Sequence, residues 1–387
     1  MRLPTYAGTL EAYRPVGEPL VARAPRVPLT RTAFAAAHVV SDPMAERAPW
    51  EGRPAVDWEN TLGFRRWLWD QGLGLAEAMD TAQRGMGVDW LTAKELIERT
   101  MREAKAHPMK PRVACGAGTD HLDPADARSL DDVIRAYEEQ VAAIEAVGGR
   151  IILMASRALA RLAKTPDDYA KVYGRILGQV REPVIIHWLG DMFDPALNGY
   201  WGTADLNRAM DTAVAVINDN AGKIDGVKVS LLDKDKEIAM RRRLDKRVRM
   251  YTGDDFNYAE LIAGDEHGFS HALLGIFDAI APAAAAALSA LAKGDLATFH
   301  DIFAPTVPLS RHIFRAPTRF YKTGVVFMAY LNGHQDHFTM AGGQESARST
   351  LHLAELFRLA DRAGLLRDPE RAAERMRCVM AVRGVEA

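Results

Sequence analysis

Along most of the chain, short apolar runs of β-type composition alternate with longer stretches in which apolar residues recur at helical spacing. The runs fall at residues 32–40, 74–79, 112–116, 150–155, 184–188, 226–231, 248–252 and 268–274. Between them, residues 130–146, 166–180, 203–220 and 233–245 each carry one apolar face and begin near a Ser, Thr or Asp. Such side chains accept the free N–H groups of a first helical turn, so they mark helix starts. Strand followed by helix, repeated eight times, predicts an α/β protein whose parallel sheet closes as a (β/α)8 TIM barrel over residues 32–281. An open doubly wound sheet would normally place a glycine-rich phosphate turn after its first strand. Here that strand runs into HVVSDP instead.

After residue 281 the alternation stops, and residues 282–293, 296–302, 319–331 and 344–362 read as consecutive helices. Residues 282–387 are therefore expected to form a C-terminal helical extension. Residues 1–31, rich in Pro and Arg, show no period and are expected to be an N-terminal arm or a cover for the barrel bottom. The stretch APAAAAALSALAKG is alanine-rich, but alanine is a strong helix former and only weakly apolar, which favours a packed helix. No run reaches the ~18 apolar residues of a membrane span. The opening MRLPTYAGTLEAYRPVG has neither the basic nor the apolar region of a secretory signal. Membrane insertion and export are not expected.

Composition narrows the partner. With 48% hydrophobic and 26% charged residues the chain has the make-up of a globular protein with a full core. At roughly 150 residues per domain its length suggests two or three domains, but a barrel of about 250 residues counts as one. Lys and Arg number 49 against 51 Asp and Glu, a net charge of −2, so there is no global attraction for nucleic acid or an anionic membrane. A small, near-neutral molecule fits better. Cys115 and Cys378 are the only cysteines, too few for a disulfide framework, and a cytoplasmic location is expected.

In a barrel of this kind, chemistry sits where strands end at the C-terminal face. Lys228 lies inside the sixth run, in IDGVKVSLL. A lysine there must snorkel, pair with an acid, or remain partly desolvated with a lowered pKa. The last state is a nucleophilic amine able to form a Schiff base with a carbonyl. His187 ends the fifth run as either a general acid–base group or a core histidine. His38 and Asp42, Asp120 and His121, Ser156 and Arg157, and Asp254 and Asp255 follow other strands. Together they have the donor types of a divalent metal site, but no HxH or HxxxE spacing joins them, and no metal or cofactor is expected. His334 and His337, in NGHQDHF, have helical spacing and read as a helix end or, alternatively, a ligand pair. The basic run MRRRLDKRVR reads as a solvated face. Trp58, Phe64, Trp67 and Trp69 read as core or subunit-interface packing on the helix after the first strand.

The stretch GKIDGVKVSLLD, followed by VRMYTGDDFNYAELIAGDEHGFSHALLGIFDAIAP, resembles the sixth to eighth strands of the dihydrodipicolinate synthase / N-acetylneuraminate lyase superfamily of class I aldolases. ACGAGTD resembles its third strand, PVIIHW its fifth, and GVVFMAYLNGHQDHF its C-terminal helices. More closely, the chain resembles a branch known only as a domain of unknown function. The resemblance implies a cofactor-free lyase in which Lys228 forms a Schiff base with a small carbonyl substrate for C–C cleavage, condensation or dehydration. It further implies a pocket shaped by Gly253, Asp254 and Asp255, with Thr81 and Arg157 at the far end of the substrate, and a homo-oligomer, dimer or tetramer. Two departures fall on the chemistry. His187 stands where the family has a proton-relaying tyrosine, and an ordinary histidine pKa near 6.5 would suit that role. The family's G-T-T-G-E loop, which binds a 2-oxo acid carboxylate, corresponds to GLAEAMDTAQRGMG, where Thr81 keeps a hydroxyl but Asp80 would repel a carboxylate. Arg84 would restore anion binding or lie on the surface. An acid at Asp80 suits a sugar-derived or polyol substrate. The rival readings are a metal-dependent lyase or isomerase using His187, Asp254 and His38, and a non-catalytic barrel that binds a small metabolite.

Overall fold

The computed structural model describes residues 1–21, 25, 27–46 and 53–385. Eight parallel strands, Ala33–Ala36, Gly74–Glu77, Val113–Ala117, Arg150–Leu153, Val184–Leu189, Ile224–Ser230, Arg249–Thr252 and His271–Leu274, close into one barrel in chain order. Each lies within, or one or two residues beyond, an expected run. The last strand pairs with the first, Ala272 opposite Ala33. Alternate residues point inward, so Phe34, Ala36, Ala76, Ala114, Ile152, Ile185, Tyr251 and Leu273 fill the barrel interior. Tyr251 plugs the lower part because Gly226, against which its ring lies, has no side chain. A Cβ there would lie 2.5 Å from the Tyr251 ring and 2.7 Å from the Arg249 carbonyl.

Outside the barrel, Leu130–Ala146 forms as expected, started by a capping box between Ser129 and Asp132. The helices Pro166–Leu177, Leu206–Asp219 and Lys234–Arg243 are slightly shorter than their patterns. Trp58–Asp70 packs Phe64 and Trp69 inward.

The extension contains Ala281–Ala292, Leu296–Phe303, Thr306–Ile313, Tyr321–Leu331, Thr350–Arg362 and Pro369–Val382. Two of these, 306–313 and 369–382, go beyond the expectation. Every residue of Tyr321–Leu331 is buried, as a helix apolar on all sides must be. It starts over the barrel mouth. The helix expected from residue 344 begins instead at Thr350, after a single 3-10 turn, Gln344–Ser346. The arm begins as a hairpin, Arg2–Pro4 with Leu10–Ala12. Asp361 holds its continuation by accepting from the Tyr13 hydroxyl at 2.7 Å and from the Val16 and Gly17 amides at 2.9 and 3.1 Å. The first part of the arm thus clamps the extension, and residues 28–33 line a groove with Trp69, Gly72 and Arg112 near the strand starts. Parts of the expected arm (22–24 and 26) and of the expected extension (386–387) lie outside the described residues. Among the described residues no helix is long and apolar enough to cross a membrane.

Candidate active site

Adjacent strands place the two leading residues side by side, since His187 is in register with Lys228 and aligned positions of parallel strands face the same way. Lys228 is 7% exposed and forms no salt bridge or hydrogen bond among the described residues. Burial lowers its pKa, against the opposing pull of Asp255 and Asp80. Gly253 leaves room for its stem, because a Cβ there would sit 2.8 Å from Lys228 Cε, 2.3 Å from Ser230 Oγ and 2.7 Å from the Val229 carbonyl. His187 is fully buried, with Nε2 3.2 Å from Ser230 Oγ and Nδ1 without a partner among the described residues. Burial, and then the Lys228 charge, push its pKa well below the ordinary value. The imidazole is therefore neutral at physiological pH, without the protonated fraction that an ordinary histidine would keep.

The acids divide into two kinds. Asp254 is consumed by its own turn, accepting from the Phe256 and Asn257 amides at 2.8 and 3.0 Å and from Asn257 Nδ2 at 2.8 Å. Asp255 accepts the Ile276 amide at 2.9 Å, and burial raises its pKa in spite of that hydrogen bond and of Lys228. Asp80 follows the second strand and lines the mouth. Thr81 beside it shares a 2.9 Å hydrogen bond with the Tyr321 hydroxyl, brought in from the C-terminal extension. The next residue, Lys322, is buried as well. Its Nζ donates to the Arg319 carbonyl at 3.2 Å, and burial lowers its pKa to about 8 against the pull of Asp80 and Asp194.

The mouth is a cleft of about 610 Å³, counting the part open to solvent, lined among others by Asp80, Arg84, Asp120, Arg157, His187 and Asp194. Both arginines are already engaged. Arg84 grips Asp120 with two bonds of 2.7 and 2.9 Å and also reaches Gln140 and the Gly116 carbonyl. Burial would raise the Asp120 pKa, but the Arg84 charge and hydrogen bonds outweigh it and hold it at about 2. Arg157 pairs with Asp194 at 2.5 Å.

One family model, described as "Protein of unknown function (DUF993)", matches residues 1–385. The chain belongs to the DUF993 family. No curated protein matches it. Similar solved structures include a monomeric dihydrodipicolinate synthase variant, at 15% identity and a TM-score of 0.63 over 87% of this chain and 98% of that one. The dihydrodipicolinate synthase of Thermotoga maritima is 14% identical, with a TM-score of 0.63 over 87% of this chain and 100% of that one. That of Aquifex aeolicus is 13% identical, with a TM-score of 0.62 over 86% and 99%. The DUF993 chain thus has the dihydrodipicolinate synthase fold, as the resemblance implied.

Several expected residues lie elsewhere in the DUF993 structure. His38 is bound to Asp278, Nδ1 to Oδ2 at 2.8 Å. With Asp254 used in its turn and His187 facing Ser230, the three ligands of the metal-dependent reading are each engaged separately. Among the described residues no three His, Cys, Asp or Glu side chains converge as a ligand set. Asp42 caps an exposed turn, His121 contacts Gln140 and Glu139, and Ser156 caps a short helix while touching Thr119. His334 and His337 lie beyond the helix end at Leu331, so their expected helical spacing does not apply. His334 instead packs on Trp67 and Phe64. Tyr321, Lys322 and Asp194 escaped the sequence reading. Asp194 lies in an irregular loop, and nothing local in APTRFYKTG shows that the extension folds back over the mouth.

Proposed function

We propose that this DUF993 protein is a class I aldolase-type lyase whose Lys228 forms a Schiff base with a small, hydroxylated carbonyl compound. The observation that carries this reading is a buried amine without an ion-pair partner among the described residues, on a strand facing the barrel interior, with its pKa lowered by burial. Such an amine is a nucleophile near neutral pH, where an exposed lysine is almost wholly protonated. Attack on the carbonyl carbon gives a carbinolamine. Loss of water then gives a protonated imine, which accepts the electron pair of the breaking C–C or C–H bond as an enamine. Protonation of the enamine carbon and hydrolysis return Lys228. Neutral His187, in register with the lysine, accepts or returns the proton in these steps, and Asp255 balances the charge of the iminium.

The mouth favours hydroxyl groups over a free carboxylate. Arg84 and Arg157 are each paired with a carboxylate, and Asp80 stands where a substrate carboxylate would need a donor. Hydroxyls can donate to Asp80 and Asp194, which points to a sugar-derived aldehyde or ketone. Gly253 and Thr81 shape the space around the lysine. The test is borohydride trapping with hydroxyaldehydes, hydroxyketones and 2-oxo acids, read by peptide mass. A reduced adduct on Lys228 with a hydroxylated carbonyl, absent in Lys228→Met, is expected. No adduct from any of them, or an adduct elsewhere only, refutes the reading. Preference for 2-oxo acids refutes the substrate class alone.

A further inference from the structure

A second cavity lies away from the mouth, between the helix Trp58–Asp70, the arm and the extension. Its enclosed volume is about 290 Å³, at the lower edge of the roughly 300–1,000 Å³ usual for ligand sites. Its walls are mostly apolar, with Leu20, Phe64, Trp67, Pro282, Met328 and Leu365 among them. Four polar side chains interrupt them, Asp278, His334, Asn332 and Arg367. Asp278 is 3% exposed, and its Oδ2 accepts both the His38 amide and His38 Nδ1 at 2.8 Å. Its Oδ1 has no donor among the described residues. A buried carboxylate oxygen without a donor is costly and rare, so it calls for a partner. The His334 ring, its centroid 4.3 Å from Trp67 and 4.9 Å from Phe64, makes no side-chain hydrogen bond among the described residues. Burial, and then His38, lower its pKa to about 3. The ring is thus neutral and adds no positive charge to answer Asp278.

We infer that this cavity is a second small-molecule site, for a ligand with an apolar or aromatic body and a hydrogen-bond-donating head, ammonium or hydroxyl, directed at Asp278 and His334. The body would lie on Phe64 and Trp67, while the head supplies the donor that Asp278 Oδ1 lacks. The inference is independent of the chemistry at Lys228, although one helix borders both sites. Tyr321 and Lys322 stand at its mouth end, and Met328 and Ala329 line the cavity.

The probes are 2-phenylethylamine, 2-phenylethanol and ethylbenzene, which share a body and differ in the head. They are added to the full chain labelled at its methionine methyl groups and followed by NMR and calorimetry. The amine or the alcohol is expected to shift Met328, in the cavity wall, and to leave Met154, in the mouth, in place. It is also expected to bind at least about tenfold more tightly than ethylbenzene, or roughly 1.4 kcal/mol, an advantage that Asp278→Asn removes. A stronger amine identifies a cationic head, and a stronger alcohol a neutral one. The inference is overturned if no probe moves Met328 at millimolar concentration, if Met154 moves instead, or if ethylbenzene binds as well as the others. Because the Met328 readout needs only the wild-type chain, it decides the matter even if Asp278→Asn fails to fold.

Discussion

The loop that carries Asp80 and Thr81 leaves the second barrel strand at Glu77, and Glu77 is held by the most completely buried ion pair of the molecule. Arg65 and Glu77 side chains are both 0% exposed, joined by two parallel bonds of 2.9 Å. The spare capacity of each is filled. Arg65 Nη1 also donates to the His38 and Thr61 carbonyls, at 2.5 and 3.1 Å, and Glu77 accepts from the Ala78 amide at 2.8 Å and the Thr100 hydroxyl at 2.7 Å. Breaking such a pair from one side costs about 3–5 kcal/mol, because the survivor remains buried and charged. The two sides are not equivalent. After Arg65→Met the carboxylate keeps two donors and can escape its charge by taking up a proton. After Glu77→Leu the guanidinium keeps only two carbonyls and cannot lose its proton. Arg65→Met is therefore expected near 3 kcal/mol and Glu77→Leu near 5 kcal/mol, both order-of-magnitude figures. The double variant should recover at least half of the larger loss, since a well-packed apolar pair of similar volume is often neutral. Urea unfolding followed by circular dichroism reads all three. Equal deficits for the single variants, or additive losses in the double, would refute this account.

Gly253→Ala forces a Cβ to 2.7 Å from the Val229 carbonyl and 2.3 Å from Ser230 Oγ; a loss of about 1–3 kcal/mol is expected in thermal unfolding, and an unchanged Tm would show that the strand gives way freely. Tyr321→Phe leaves the Thr81 hydroxyl buried without its partner, which should cost about 1–3 kcal/mol and is measured in the same way, a neutral result counting against the contact. Glu237 is buried, and burial lifts its pKa from 4.5 to about 8 in spite of Ser270. The folded state then holds the extra proton between those values, so stability declines as pH rises through that window. Glu237→Gln should flatten that slope in a comparison of Tm at about pH 5 and pH 9. For the reaction, burial lowers the Lys228 pKa below its ordinary 10.5, so the rate of reductive trapping should persist toward neutral pH. A rate that falls away below pH 10.5, as for an exposed lysine, is the contrary result.

The barrel was legible because each strand is a short apolar run closed by a helix with its own cap, and such local signals survive without tertiary context. Leu130–Ala146 shows this best, since Ser129 and Asp132 write its start into the sequence. Lys228 and His187 were legible for a related reason, as polar residues inside apolar strands. The roles of the acids were not. Asp254 and Asp255 are neighbours of identical chemistry, and only the turn made by Phe256 and Asn257 separates a structural carboxylate from one left beside the lysine. Arg84 and Asp120 lie 36 positions apart and Arg157 and Asp194 lie 37 apart, each pair on successive barrel segments. Their mutual neutralisation is a consequence of closure that no local pattern encodes. The same is true of Tyr321, which meets Thr81 across 240 positions.

These long-range pairings also change what the mouth can accept. Counted from sequence alone, Arg84, Arg157 and Lys228 near the strand ends would make an anion site, to which the fold adds Lys322 from the extension. In the fold each arginine is cancelled by its own aspartate, and Asp80 opposes the lowering of both lysine pKa values. Burial still holds both amines below their ordinary values, so each protonates less readily than its charge count implies. The two arginine charges at the mouth are therefore each answered by a carboxylate. An anionic substrate would have to break an ion pair in order to be held. Under the proposed function, an uncharged, hydroxylated substrate would need only to donate hydrogen bonds to acceptors already in place.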